Sequence, residues 1–141
     1  MSEPPGAAVP DGFGRGLRVP AAAWRGAGHE FALRVQHIDP PDGARGVFRD
    51  APVVARLSRA ADPLTVSSET FLILDEHGPV PGGIWTSLDG RVAVWTPARL
   101  LSAGTLHFVR LAGVRDLHGR ELAVHESAFE PGDLALGDLG P

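Results

Sequence analysis

Apolar and polar residues alternate along much of this chain with a period of two, the repeat of a strand that buries one face and wets the other. Phe31, Leu33 and Val35 share one face before Asp39–Pro40–Pro41–Asp42–Gly43 imposes a turn, which predicts a first strand. Val53, Ala55 and Leu57 alternate with Val54, Arg56 and Ser58 to predict a second, and Pro52 at its start costs no ladder bond. Residues 70–74 predict a short apolar third. Residues 84–88 and 91–96 flank Asp89–Gly90, the two-residue signal of a type I′ hairpin. Residues 106–111 and 121–129 bring the expected strands to seven, with turn signals roughly every 8 to 15 residues, the density of two aligned sheets. Residues 60–66 and 97–101, each with a proline near the first helical position, predict one-turn helical connectors.

Two of these strands are apolar on both faces. In residues 91–95, Ala93 and Trp95 oppose Val92 and Val94; in residues 106–111, His107, Val109 and Leu111 oppose Leu106 and Phe108. A sandwich strand with one face in water should alternate with polar residues. Val92, Val94, Leu106 and Phe108 therefore predict a sheet whose outer face is covered, each contributing about 1.5–3 kcal/mol when buried. Residues 1–29 are rich in Gly, Pro and Ala and carry only Phe13 and Trp24 as large aromatics, too little to form a core. They predict an N-terminal arm, with Phe13 and Trp24 as its anchors on a partner or on the protein's own sheet. Residues 131–141 return to a short tail of Gly, Asp and Leu, leaving 30–130 as the domain.

Composition narrows the classes of function. The 141 residues suit one domain, and 18 Gly with 13 Pro favour short strands and many turns. A net charge of -4, with 13 Lys and Arg scattered rather than striped, offers no field for a phosphate backbone, so nucleic acid is not an expected partner. Without Cys there is neither a disulfide nor a thiolate nucleophile. The start Met1–Ser2–Glu3–Pro4–Pro5–Gly6 lacks the basic and apolar regions of an export signal, and no apolar run approaches the ~20 residues that span a bilayer. Synthesis without a standard export signal or membrane insertion is the expectation.

Taken in order, Asp39–Pro40–Pro41–Asp42–Gly43–Ala44–Arg45–Gly46–Val47, Leu57–Ser58, Asp62–Pro63–Leu64–Thr65–Val66, Trp95–Thr96–Pro97, Leu101–Ser102–Ala103–Gly104–Thr105 and Gly113–Val114–Arg115–Asp116–Leu117–His118–Gly119 resemble the bacterial immunoglobulin-like domains of surface-layer and adhesin-type proteins. The resemblance covers about residues 33–130. It implies an all-β fold, an Ig-like seven-stranded Greek-key β-sandwich that serves as spacer, stalk or binding module, usually repeated in long envelope or secreted proteins, without catalysis. His107 departs from the family, which usually has a tyrosine there, and Arg120 stands where an asparagine usually follows the turn glycine. A lone copy with two tails reads as an assembly subunit.

Candidate chemistry is sparse. Asp116 reads as a turn former that accepts bonds from the amides ahead of it, with Gly119 free to take a positive φ. Calcium needs about six oxygen ligands, and Asp116 brings at most two beside Asp62, Asp39 and Asp42, which local sequence does not bring together. The histidines, His29, His37, His77, His107, His118 and His125, lack the spacing of a metal pair and read as scattered surface residues. Ser58, Ser68 and Ser102 lack a nucleophile elbow. An enzyme would require at least two of Asp116, His118, His107 and Ser102 to meet in one pocket. The expected function is a non-catalytic structural or adaptor subunit, without cofactor or metal, docking onto other protein subunits of a larger assembly through an apolar sheet face and the arm. The alternative is a surface- or carbohydrate-binding module, which needs an exposed aromatic platform at Trp85 or Trp24. The resemblance implies the cell envelope or extracellular space, whereas the N-terminal sequence points to cytoplasmic synthesis or a particle.

Overall fold

The computed structural model describes residues 33–139. Nine strands form there, where the alternation predicted seven. They are β1 (Val35–Asp39), β2 (Ala44–Val47), β3 (Val53–Leu57), β4 (Phe71–Asp75), β5 (Gly78–Pro79), β6 (Gly82–Thr86), β7 (Val92–Pro97), β8 (His107–Leu111) and β9 (His125–Pro131). One sheet has the order β1-β3-β7-β6 and the other β2-β9-β8-β4-β5. This is the Ig arrangement, a four-stranded sheet facing a three-stranded β9-β8-β4 sheet, here extended by β2 and β5. The two extra strands are four and two residues long, too short to show a period.

The expected first strand ends differently. A bulge between Val35 and His37 breaks the alternation that Leu33 and Val35 begin, so Ile38 points inward and His37 outward. The turn after Asp39 then carries the chain across to the other sheet, where β2 runs parallel to β9. Phe31 lies outside the described residues. The last strand starts at His125 rather than Glu121, because residues 115 and 121 close a local bridge instead of joining the sheet.

Inward parity in β3 follows the alternation, whereas in β4, apolar from Phe71 to Leu74, only the packing shows that Phe71 and Ile73 point inward. Val53, Ala55, Leu57, Ala93 and Trp95 from one sheet meet Phe71, Ile73, Val109, Leu111 and Phe129 from the other. Gly82 serves this core: a Cβ there would overlap the Trp95 indole, so β6 can lie against Trp95 only as glycine. The β6–β7 connection is longer than a two-residue loop. Gly90 N–H closes a turn on the Ser87 carbonyl at 2.9 Å, Gly90 takes a φ of 74°, and the Asp89 carboxylate accepts from Ser87 Oγ and Arg91 N–H.

Of the two expected helical connectors, one forms. Pro63–Thr65 is a single 3-10 turn capped by Asp62, whose carboxylate accepts from Leu64 N–H. Residues 98–101 make no helix: Ala98 N–H donates to the Pro81 carbonyl and Leu101 N–H to the Arg49 carbonyl, which ties the bent segment to the sandwich. The C-terminal tail winds a 3-10 turn at Leu136–Leu139 and is tied to the β2–β3 turn. There Arg49 N–H donates to the Leu134 carbonyl, and the Asp50 carboxylate accepts from the Leu136 and Gly137 amides.

Candidate docking faces

Val92 and Val94 belong to β7 and Leu106 and Phe108 to the approach and start of β8, and these strands lie in opposite sheets. The expectation that one sheet carries all four is therefore corrected. The connection between β7 and β8 crosses the sandwich, so the two outward pairs face away from each other. Phe13 and Trp24 lie outside the described residues.

On the four-stranded sheet, register places Asp39, Val54, Val94 and Trp85 in one row across β1, β3, β7 and β6. The next row holds His37, Arg56 and Val92. Val54, Val92 and Val94 are half-buried, whereas Trp85 is 60% exposed. The apolar centre is thus rimmed by Asp39 at one edge and Trp85 at the other. Trp85 was expected only as a sugar platform and Val54 only as an outward residue of its strand; the pairing of β3 and β6 with β7 brings both beside Val94.

The opposite outer face differs in charge. Phe108, 47% exposed, stands between Leu74 and Ala128. The adjoining row of Leu72, Arg110 and Glu126 carries an ion pair between Arg110 Nη1 and Glu126 Oε2, and Arg45 Nε meets Glu130 Oε1 at 3.2 Å on the neighbouring strands. Leu106 is 49% exposed just before β8. This face is a patchwork of apolar and ionic side chains.

The loops at one end of the sandwich are organised by Asp116, which is buried. Its Oδ1 accepts from the amides of His118 and Arg120, each at 2.8 Å, and its Oδ2 meets Arg120 Nε at 3.2 Å. Gly119 has a φ of 82° and returns its N–H to the Asp116 carbonyl. Arg120 thus completes the turn where the family usually has asparagine. Burial by itself would raise the Asp116 pKa, but the Arg120 and His118 amides and their nearby charges hold it below the ordinary carboxyl range.

His107 corrects the reading of the histidines as surface residues. It is fully buried, stacks on Phe129 with centroids 5.5 Å apart, and has Nδ1 at 2.7 Å from the Thr105 carbonyl, while Nε2 has no partner among the described residues. The half-buried His125 bonds Ser127 Oγ through Nε2, and burial lowers its pKa. Asp116 and His118 do line one concavity of about 180 Å³, together with Arg59, Ala60, Arg91 and Leu117. Among the described residues no serine lines it, and both Asp116 oxygens are engaged in the turn. Asp62 and Asp42 cap the amides of Leu64 and Ala128. Among the described residues, no three His, Asp or Glu side chains gather in a way that could hold a metal ion.

A strand order of this kind, with a turn-forming Asp116 and outward-facing apolar strands, defines an immunoglobulin-type module. Residues 30–130 match the model of the bacterial Ig-like domain, and the chain belongs to that family. Over 71 residues it is 34% identical to an S-layer protein of Geobacillus stearothermophilus, a stretch that is 49% of this chain and 6% of the relative. The fold is similar to domains 1–6 of surface layer protein SbsC, with a TM-score of 0.58 and 16% identity, covering 79% of this chain and 15% of that one. It is also similar to CopC from Methylosinus trichosporium OB3b, with a TM-score of 0.60 and 18% identity over 71% of this chain and 93% of that one. The chain therefore spans a small fraction of the surface-layer proteins it matches.

Proposed function

We propose that this chain is a non-catalytic structural module of a larger surface-associated assembly in the bacterial envelope or extracellular space. It docks onto a protein neighbour through the outer face of the β1-β3-β7-β6 sheet. The observation that carries this reading is the apolar centre of that face, Val54, Val92 and Val94 with Trp85 at its edge. An outward row of this kind suits the apolar core of a buried interface, and Arg56 beside Val92 with Asp39 at the edge offers polar contacts around it. The membership in the Ig-like family and the likeness to surface-layer domains support the structural role.

The exposure of Trp85 favours a second reading, a carbohydrate-binding module in which the indole is the sugar platform. Sedimentation with bacterial envelope fractions separates the two. Docking on protein predicts binding to intact envelope, loss of it after the envelope proteins are stripped, and at least about tenfold weaker binding for Val94→Lys. Binding to stripped polysaccharide that Trp85→Ala abolishes and Val94→Lys leaves intact would establish the carbohydrate reading instead.

A further inference from the structure

Each sheet edge offers unpaired backbone groups that another chain can extend, and folded proteins blunt such edges with charge, proline, bulges or short length. Among the described residues, three of the four edges are blunted. β1 carries a bulge and is followed by Pro40 and Pro41; β2 carries a bulge and Arg45; β5 is two residues long and ends in Pro79. The fourth edge, β6, follows Pro81 and reads Gly82–Gly83–Ile84–Trp85–Thr86, with no charge, proline or bulge within the strand.

The ladder tells which groups of β6 are left unpaired among the described residues. Ser87 N–H donates to the Val92 carbonyl and Ala98 N–H to the Pro81 carbonyl, so residues of that parity, Gly83 and Trp85, bond to β7. Gly82, Ile84 and Thr86 direct their N–H and C=O groups away from the sheet. We propose that this edge pairs antiparallel with the same strand of a second copy of the chain, about a two-fold axis at Ile84.

The strand is complementary to itself in that register. Ile84 exchanges both bonds with Ile84 of the second copy, and Gly82 does so with Thr86. Trp85 then falls opposite Gly83, where an added Cβ would meet nothing within 4 Å among the described residues, so the exposed indole gains a surface to cover and the glycine gains an aromatic roof. No charge on either strand opposes its copy. The join makes one continuous sheet of the two four-stranded sheets and removes the open edge of each. It uses the edge of the sheet, whereas the docking proposed above uses its outer face.

Sedimentation velocity of the full chain over a range of concentrations, with hydrogen exchange at the Ile84 and Thr86 amides, tests this. The expected result is reversible association, with both amides more protected as concentration rises. Thr86→Pro deletes an outward donor twice in the dimer without breaking the β7 ladder, and should weaken association at least about tenfold. Gly83→Lys fills the open slot facing Trp85 and should do the same. Circular dichroism and melting of dilute protein show whether each variant is folded, and Gly83→Lys carries the test if Thr86→Pro is not. Val94→Lys, which leaves the edge intact, should associate like the wild type. A chain that stays monomeric at every concentration overturns the proposal, as does association that survives a folded edge variant.

Discussion

Asp116 shows how one side chain sets both a loop and its response to acid. Asp116→Ala leaves the His118 and Arg120 amides without their acceptor and should cost about 2–3 kcal/mol in urea denaturation at neutral pH, whereas Asp116→Asn, which keeps an oxygen, should cost less. The folded pKa lies below that of the unfolded chain, so the unfolded state binds the proton more tightly. The stabilisation is complete above the ordinary carboxyl value of about 3.9 and is lost as pH falls through the lower folded value. The urea midpoint of the wild type should therefore fall in that acid window more steeply than that of Asp116→Asn; parallel limbs would refute the assignment. The turn role was legible from Val114–Arg115–Asp116–Leu117–His118–Gly119, because short-range geometry dictates it. Strand parity also placed His107 on the face of Val109 and Leu111, yet only the closed core shows that this face is interior and leaves Nε2 without a partner among the described residues.

Among the elements, β6 and the β2–β3 turn depend most on contacts distant in sequence. Gly82→Ala forces a Cβ into the Trp95 indole and should cost about 1–3 kcal/mol in thermal unfolding, with near-ultraviolet circular dichroism reporting the displaced tryptophan. Asp50→Ala removes the acceptor of the Leu136 and Gly137 amides. It should speed hydrogen exchange over residues 134–138 while leaving the melting of the sandwich nearly unchanged, since the sheets do not rest on this contact. Exchange as slow as in the wild type would show that the tail is held otherwise. The hairpin around Asp89–Gly90 was legible in place but not in length: the pair marks the turn, and the Asp89 bonds to Ser87 and Arg91 widen it.

For the whole molecule, the decisive fact is that β7 and β8 lie in different sheets. A lysine at Val94 and one at Phe108 stand on opposite faces, so their effects on stability should add within about 0.5 kcal/mol in the double variant. Only Val94→Lys should weaken envelope binding, because the face around Phe108 already carries ionic pairs. Equal loss from Phe108→Lys would move the docking surface to the other sheet.

Local sequence set the strand class of the fold, the inward parity of β3, the two apolar faces of β7 and β8 and the place of the main turns, and its motifs carried the resemblance to an Ig-like domain. The strands, their faces and the turns follow from a period of two and from turn chemistry, which act between residues close along the chain. The tertiary structure alone decided which sheet each strand joins, and so whether Val92, Val94, Leu106 and Phe108 share a surface. It also decided the bulge that turns Ile38 inward, the pairing of β2 with β9 and the anchoring of the tail on Asp50. Alternation states that a strand has a buried side; which strand lies beside it is settled by contacts between residues tens of positions apart, which no local pattern encodes.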